Sequence, residues 1–408
     1  MNQLQLMQTA INKTKMLLGA AAFVAAFTSC NKQFEDIGPD INPSFTNTGS
    51  TLNDVINNDT TYSYFKALVA KAGAAAPTAA FSNPSLRFTA FLPTNAAIRK
   101  SNPAFSSATN FANALAGSAA SIVNYLITPQ VLRFDSIPST FPNLVAPTLL
   151  NPTAGTSAFN PLVSLSIFPS KRGTQGWVNN VPLTTVNGSA ANAIIHNTDL
   201  LVTPPSTTLW SRISTDADMA YFKAAVQRGD SGSVGTARFD SLLNLPVGPN
   251  FTVFVPTNAA FQAVLTAQIT QALVAQGVPL ATAQAQAAAL ASSPTVFSNP
   301  ALSSVLTPTN VKGLVVYHML GAGAFTVNFP PTPTSVPTLL NTVVPTHPGV
   351  KLGATFSGPV VTAATVQGVA NATPATILIN PTPNPGGTSD QFFTNGVLHK
   401  INQVLLPQ

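Results

Sequence analysis

The stretch TLNDVINNDTTYSYFKALVAKAG at residues 51–73 returns at 208–230 as TLWSRISTDADMAYFKAAVQRGD. Leu52, Ile56, Asp59, Tyr64, Phe65, Lys66, Ala67 and Val69 recur as Leu209, Ile213, Asp216, Tyr221, Phe222, Lys223, Ala224 and Val226. Three further blocks repeat in the same order. FTAFLPTNAAI (88–98) matches FTVFVPTNAAF (251–261), IVNYLI (122–127) matches LVVYHM (314–319), and ANAIIHNTDLLVTP (191–204) matches TNGVLHKINQVLLP (394–407). The distance between copies only grows along the chain, so the second copy carries insertions between blocks. Ordered self-similarity of this kind means that one structural unit occurs twice. The units are expected at 45–206 and 207–408, joined by a short, semi-rigid Pro-rich junction, TPPSTT at 203–208.

Within a unit the apolar period switches between helix and strand. Leu52, Ile56, Phe65, Leu68 and Val69 have helical spacing. Phe251, Val253 and Val255 alternate with Thr252 and Phe254 as in a strand, which Pro256 ends. Thr257 or Asn258 then offers an N-cap, and Ala259, Ala260 and Phe261 open a helix. In the last block Val397, His399 and Ile401 share one strand face, and Asn395-Gly396 marks a turn before it. Interleaved strands and helices define an α+β class. The insertion at 261–293 reads as helical with a break near Pro279, its Leu265, Ile269 and Leu273 packing on its own unit. The Pro/Thr-rich span 329–390 reads as long surface loops between strands.

Only 7% of the 408 residues are charged, against about 25% in an average soluble domain, while 45% are hydrophobic. Solubility then rests on hydroxyls, amides and exposed backbone, and the apolar content is enough for folded cores. The net charge of +6 comes from scattered basic residues, without the dense patch that a nucleic-acid binder needs. Residues 1–29 read as an export signal: Lys13 and Lys15 precede an apolar run, Met16 to Phe27, too short to span a bilayer. The following FTSC resembles a bacterial lipobox, which implies that Cys30, the single cysteine, is the first mature residue and carries the acyl chains. Residues 30–44 read as a flexible tether. Glu35 and Asp36 resemble the acidic export tag of surface-exposed lipoproteins in Bacteroidetes-type bacteria.

The repeated blocks resemble the two hallmark boxes of the fasciclin (FAS1) family, with Tyr317-His318 matching the Tyr-His pair between them. The resemblance implies two tandem units, each a twisted β-sandwich or wedge flanked by α-helices. It also implies adhesion or binding to matrix, cells or surface polysaccharide, without a common catalytic activity. Its motif residues here are Tyr317, His318, Thr257, Asn258, His399, Asn95 and His196. The first copy departs from pattern, with Tyr125-Leu126 and Asn192-Ala193 where Tyr-His and Asn-Gly are expected, which leaves an adhesive role for that region in doubt there.

The bland reading of these side chains is structural. His399 on an apolar strand face reads as a satisfied core histidine, and Asn95 and Asn258 as capping or loop-bonding residues. Four histidines without ligand spacing imply no metal, and nothing in the chain calls for a cofactor. GDSG at 229–232 lacks the flanking pattern of a protease and reads as a loop. The expected partners are the membrane, through the lipid, and polysaccharide or surface proteins, at the outer membrane and facing outward. The rival reading is an accessory subunit docked to an outer-membrane nutrient-uptake complex.

Overall fold

The computed structural model describes residues 48–157, 159–380 and 387–408. The signal segment, Cys30 and the tether lie outside the described residues. The fold is mixed α+β, and the repeated blocks occupy matching places in it. Block one forms helices Leu52–Asn58 and Ser63–Ala72, and its copy forms Leu209–Thr215 and Ala220–Gly229. Thr51 and Thr208 start the leading helices by accepting the N–H of Asp54 and Ser211. Asp59 and Asp216 then accept the N–H two residues on, which turns the chain between the helices of each pair.

Eight strands belong to the first half: β1 (Phe88–Pro93), β2 (Ile127–Thr128), β3 (Ala146–Pro147), β4 (Ser166–Ile167), β5 (Pro169–Arg172), β6 (Gln175–Val178), β7 (Val181–Ala190) and β8 (Ala193–Thr198). Eight belong to the second: β9 (Phe251–Pro256), β10 (Met319–Leu320), β11 (Thr334–Val336), β12 (Val350–Ser357), β13 (Val360–Gln367), β14 (Ala375–Thr376), β15 (Gln391–Phe393) and β16 (Gly396–Ile401). β1 lies between β2, antiparallel, and β8, parallel; β9 lies in the same way between β10 and β16. The second and fourth repeated blocks of each copy are therefore parallel neighbours, brought together by the long crossover that a parallel pair requires.

The first half builds one six-stranded sheet, β2-β1-β8-β7-β6-β5, with β3-β4 apart. The second has two four-stranded sheets, β10-β9-β16-β15 and β11-β12-β13-β14, linked by a bridge between Ile377 and Ile401. β9 is buried along its whole length. Its Phe251, Val253 and Val255 enter the apolar cluster under the helices, while Phe254 enters a second cluster under β12 and β13. The alternation in sequence thus sorts side chains between two apolar layers rather than between core and water.

The span expected as surface loops departs from that reading: much of 329–390 is the sheet β11–β14. Its apolar residues alternate along β12, with Val350 and Leu352 buried and Lys351 exposed. The prolines at 333, 337, 348, 359 and 374 all fall outside the strands, where a missing N–H breaks no ladder. The insertion is helical, Asn258–Ala275 and Leu280–Leu290, and breaks at Pro279. Among the described residues no helix is long and apolar enough to cross a membrane.

The two halves share an apolar seam. Phe168 and Trp177 of the first half belong to the same buried cluster as Phe325, Val366 and Ile401 of the second. Phe168 lies 5.6 Å from Phe325 and 5.5 Å from Phe392, centroid to centroid. Gly323 permits this approach, since a Cβ there would stand 2.9 Å from the Phe168 ring. Trp177 donates its Nε1–H to the Pro359 carbonyl at 3.0 Å, and the Arg172 guanidinium lies 3.1 Å from the Phe356 ring centroid.

Candidate functional site

The box-two histidines have one environment, made twice. His196 Nε2 bonds the Leu132 carbonyl at 2.8 Å, and its Nδ1 accepts the Asn187 N–H at 3.3 Å. His399 Nε2 bonds the Ala324 carbonyl at 3.0 Å, and its Nδ1 accepts the Asp390 N–H at 3.2 Å. Each ring stacks on a box-one phenylalanine, Phe91 at 5.5 Å and Phe254 at 5.7 Å. This pattern assigns the proton to Nε2 in both, and burial holds both pKa values below the ordinary histidine range. Asn187 and Asp390 both adopt positive φ, 60° and 51°, and their side chains accept the N–H of Phe134 and Thr326. This pair lies outside the repeated blocks quoted above. Its only local signal is residue type, since Asn and Asp tolerate the left-handed region better than other side chains.

The remaining motif residues are also used internally. Thr94 and Thr257 are the N-caps, accepting the N–H of Ala97 at 3.2 Å and Ala260 at 3.3 Å. Asn95 and Asn258 instead clamp the preceding helix pair. They accept the N–H of Tyr64 at 3.0 Å and Tyr221 at 3.2 Å, and they donate to the carbonyls of Thr60 and Ala217. Asn192 and Asn395 accept the N–H of Leu52 and Leu209, at 2.8 and 2.9 Å, and so tie the first helix of each half to its closing strand.

Tyr317 and His318 are fully buried, so neither presents a side chain to a partner as the family resemblance implied. Tyr317 donates its hydroxyl to the Gly349 carbonyl at 2.7 Å and accepts the Val369 N–H. His318 donates Nδ1–H to the Leu314 carbonyl at 2.8 Å and accepts the Leu405 N–H on Nε2 at 2.9 Å. Burial pushes its pKa down to about 4, against a weaker opposing pull from the Leu314 carbonyl. In the first copy Tyr125 does the corresponding work, donating to the Ser166 carbonyl and accepting from Asn179, with Leu126 in place of the histidine. Asp230 of the GDSG loop accepts the N–H of Phe239 and Asp240 and closes a turn.

One ionic network is partly buried, with Lys400 and Asp216 its most enclosed members. Lys400 Nζ reaches Asp216 at 2.9 Å and Asp218 at 3.4 Å, and Arg212 reaches Asp216 at 2.9 Å. Burial works to raise the Asp216 carboxyl, but the bond from Lys400 and the charges of Lys400 and Arg212 outweigh it and hold it below its ordinary value. At the place matching Lys400 the first copy has Asn197, which donates to the Tyr62 hydroxyl at 2.8 Å. The same join is thus made with charge in one half and without it in the other. Among the described residues no three His, Cys, Asp or Glu side chains come together as metal ligands would.

With these groups engaged inside, a concave surface with polar lining remains in a cleft of about 370 Å³ between the halves. It is lined by Asn180, Thr203, Ser206, Ser211 and Thr215, with the edge of Phe392 beside them. Asp390 and Arg212 also border it, but Thr326 engages the first and Asp216 the second. The chain reaches this cleft from four separate segments, so no local motif announces it.

No protein-family model matches the chain, and a search of curated proteins finds no match. Among solved structures the chain is similar to one described as a FAS1 domain pair from the insect cell adhesion molecule fasciclin I. The two are 16% identical with a TM-score of 0.31, over 85% of this chain and 97% of that one. A likeness at this level carries no functional inference.

Proposed function

We propose that this chain is a lipid-anchored cell-envelope protein of two tandem FAS1-type units, 45–206 and 207–408, that binds neutral surface polysaccharide without catalysing a reaction. The observation that carries this reading is the use of the motif side chains. In both copies the family's Asn, Tyr and His side chains are bonded inside the fold, and the cleft left between the halves offers the neutral side chains of Asn180, Thr203, Ser206, Ser211 and Thr215, while its two charged groups, Asp390 and Arg212, are engaged by Thr326 and Asp216. Such a surface matches saccharide hydroxyls, which are recognised by directional hydrogen bonds and an aromatic edge rather than by charge. A chain with 7% charged residues is suited to that partner and poorly suited to a polyanion.

The test is an array of neutral and charged glycans and matrix proteins, probed with residues 30–408 carrying Cys30→Ser. Binding to neutral glycans is expected, weakened about tenfold by the pair Asn180→Ala and Ser211→Ala, which removes two hydrogen-bonding groups. Uniform absence of binding refutes the reading. Anchoring is tested separately in cells with an alkyne-tagged fatty acid, where label on the wild type and none on Cys30→Ala is expected.

A further inference from the structure

The second half contains a cleft that its own insertions build. It encloses about 430 Å³ between the inserted helix Asn258–Ala275, the helix Pro308–Tyr317 and the segment around Leu340 and Val344. Its floor is apolar: Phe261, Leu265, Phe297, Val311 and Val404 are all buried. No charged side chain lines it. At its mouth Val305 and Val344 remain 58% and 42% exposed, and Gln268 and Thr309 make no side-chain hydrogen bond within the described residues. The corresponding helix of the first half after box one is only Asn95–Ser101, too short to form such a wall.

A second observation shows that this space is kept open. Gly313 lies inside the helix Pro308–Tyr317 and faces the cleft, and a Cβ built on it meets nothing within 4 Å. Glycine is the least favoured helix-interior residue after proline, so a larger residue there would help the helix and fill the void. Ser121 stands at the matching place in the first copy. A half-open apolar cavity with a few polar groups at its mouth has the form of a small-molecule site.

We propose that this cleft binds a small amphipathic molecule, with an apolar body of ring or acyl character and one uncharged hydrogen-bonding end. The body lies on Phe261, Leu265 and Leu314, and the polar end meets Gln268 and Thr309 at the mouth. The lining is mostly apolar, and its one titratable side chain, His347, is already bonded to the Pro407 carbonyl and the Gly349 N–H, so an uncharged end is favoured over an ionised head group, whose desolvation is costly. This site is independent of the polar cleft between the halves and stands or falls separately.

The experiment titrates N-phenyl-1-naphthylamine, a neutral amphipathic fluorophore, into residues 30–408 carrying Cys30→Ser. Saturable binding at one site per chain is expected. Gly313→Leu is expected to weaken it about tenfold or more while the thermal midpoint stays level or rises. Ser121→Leu in the first half leaves binding unchanged. Should Gly313→Leu fail to fold, Val344→Glu on the exposed rim replaces it and is expected to weaken binding as well. Non-saturable fluorescence, or unchanged affinity in the folded rim or glycine variant, overturns the proposal. So does concentration-dependent dimerisation that competes with the fluorophore, which would make a second copy the occupant.

Discussion

Acid acts on this fold through histidines that have no room for a proton. His318 titrates near 4 in the folded chain against an ordinary value of 6.5. Between those two values the unfolded chain holds a proton that the folded chain lacks, so stability rises with pH across the window. Acidifying from 6.5 to 4 therefore removes stability, by about 3 kcal/mol for His318 once the lower value is passed. His196 and His399 act in the same direction, because burial lowers both. Replacing His318 by the leucine of the first copy tests the assignment. His318→Leu leaves the Leu405 N–H without its acceptor, at a cost of about 1–3 kcal/mol at pH 7. Urea titrations at pH 7 and pH 4.5 are expected to show a smaller acid-induced drop in the variant than in the wild type. An identical drop in both would show that His318 is not an acid-sensitive group.

Among elements, the asparagine clamps hold helices to strands that lie far away in sequence. Asn395 serves Leu209 N–H and the Leu243 carbonyl, and Asn192 serves Leu52 N–H and the Phe81 carbonyl. Asn395→Ala buries a donor and an acceptor without partners and is expected to cost about 2–3 kcal/mol. The urea midpoint should fall while the slope of the transition is unchanged. A loss of under half a kilocalorie would mean that water or a neighbour replaces the amide, and the clamp would be redundant. A cap at Thr257 or Asn258 was legible in the sequence because capping is a contact within one turn; the structure gives it to Thr257, and to Thr94 in the first copy. Which atoms Asn258 and Asn95 reach was not, because their partners lie more than thirty residues upstream.

Across the whole molecule, the aromatic seam packs the two halves against each other. Trp177 is fully buried between them and donates to the Pro359 carbonyl. Trp177→Ala removes that bond and leaves a cavity, at a cost of about 3–5 kcal/mol. Calorimetry is expected to show one cooperative transition for the wild type and two for the variant. Two transitions already in the wild type would show that the seam does not couple the halves. The seam was not legible in the sequence, because Phe168, Trp177, Phe325 and Phe392 carry no pattern that pairs them.

The recurrence of four blocks was enough to establish that two like arrangements exist and which of their segments are helix or strand. Both depend on neighbours within a few residues or on direct self-comparison. The sheet hidden in 329–390 was missed because prolines crowd its flanks and mask the alternation between them. The apolar strand face already marked His399 as inward, but packing alone revealed how completely Tyr317 and His318 are buried, since burial depends on layers contributed from distant parts of the chain. The same holds for the two clefts: one forms where the halves meet, and the other where inserted helices stop short of closing on the core. Long-range contact creates such surfaces, and a linear pattern has no term for it.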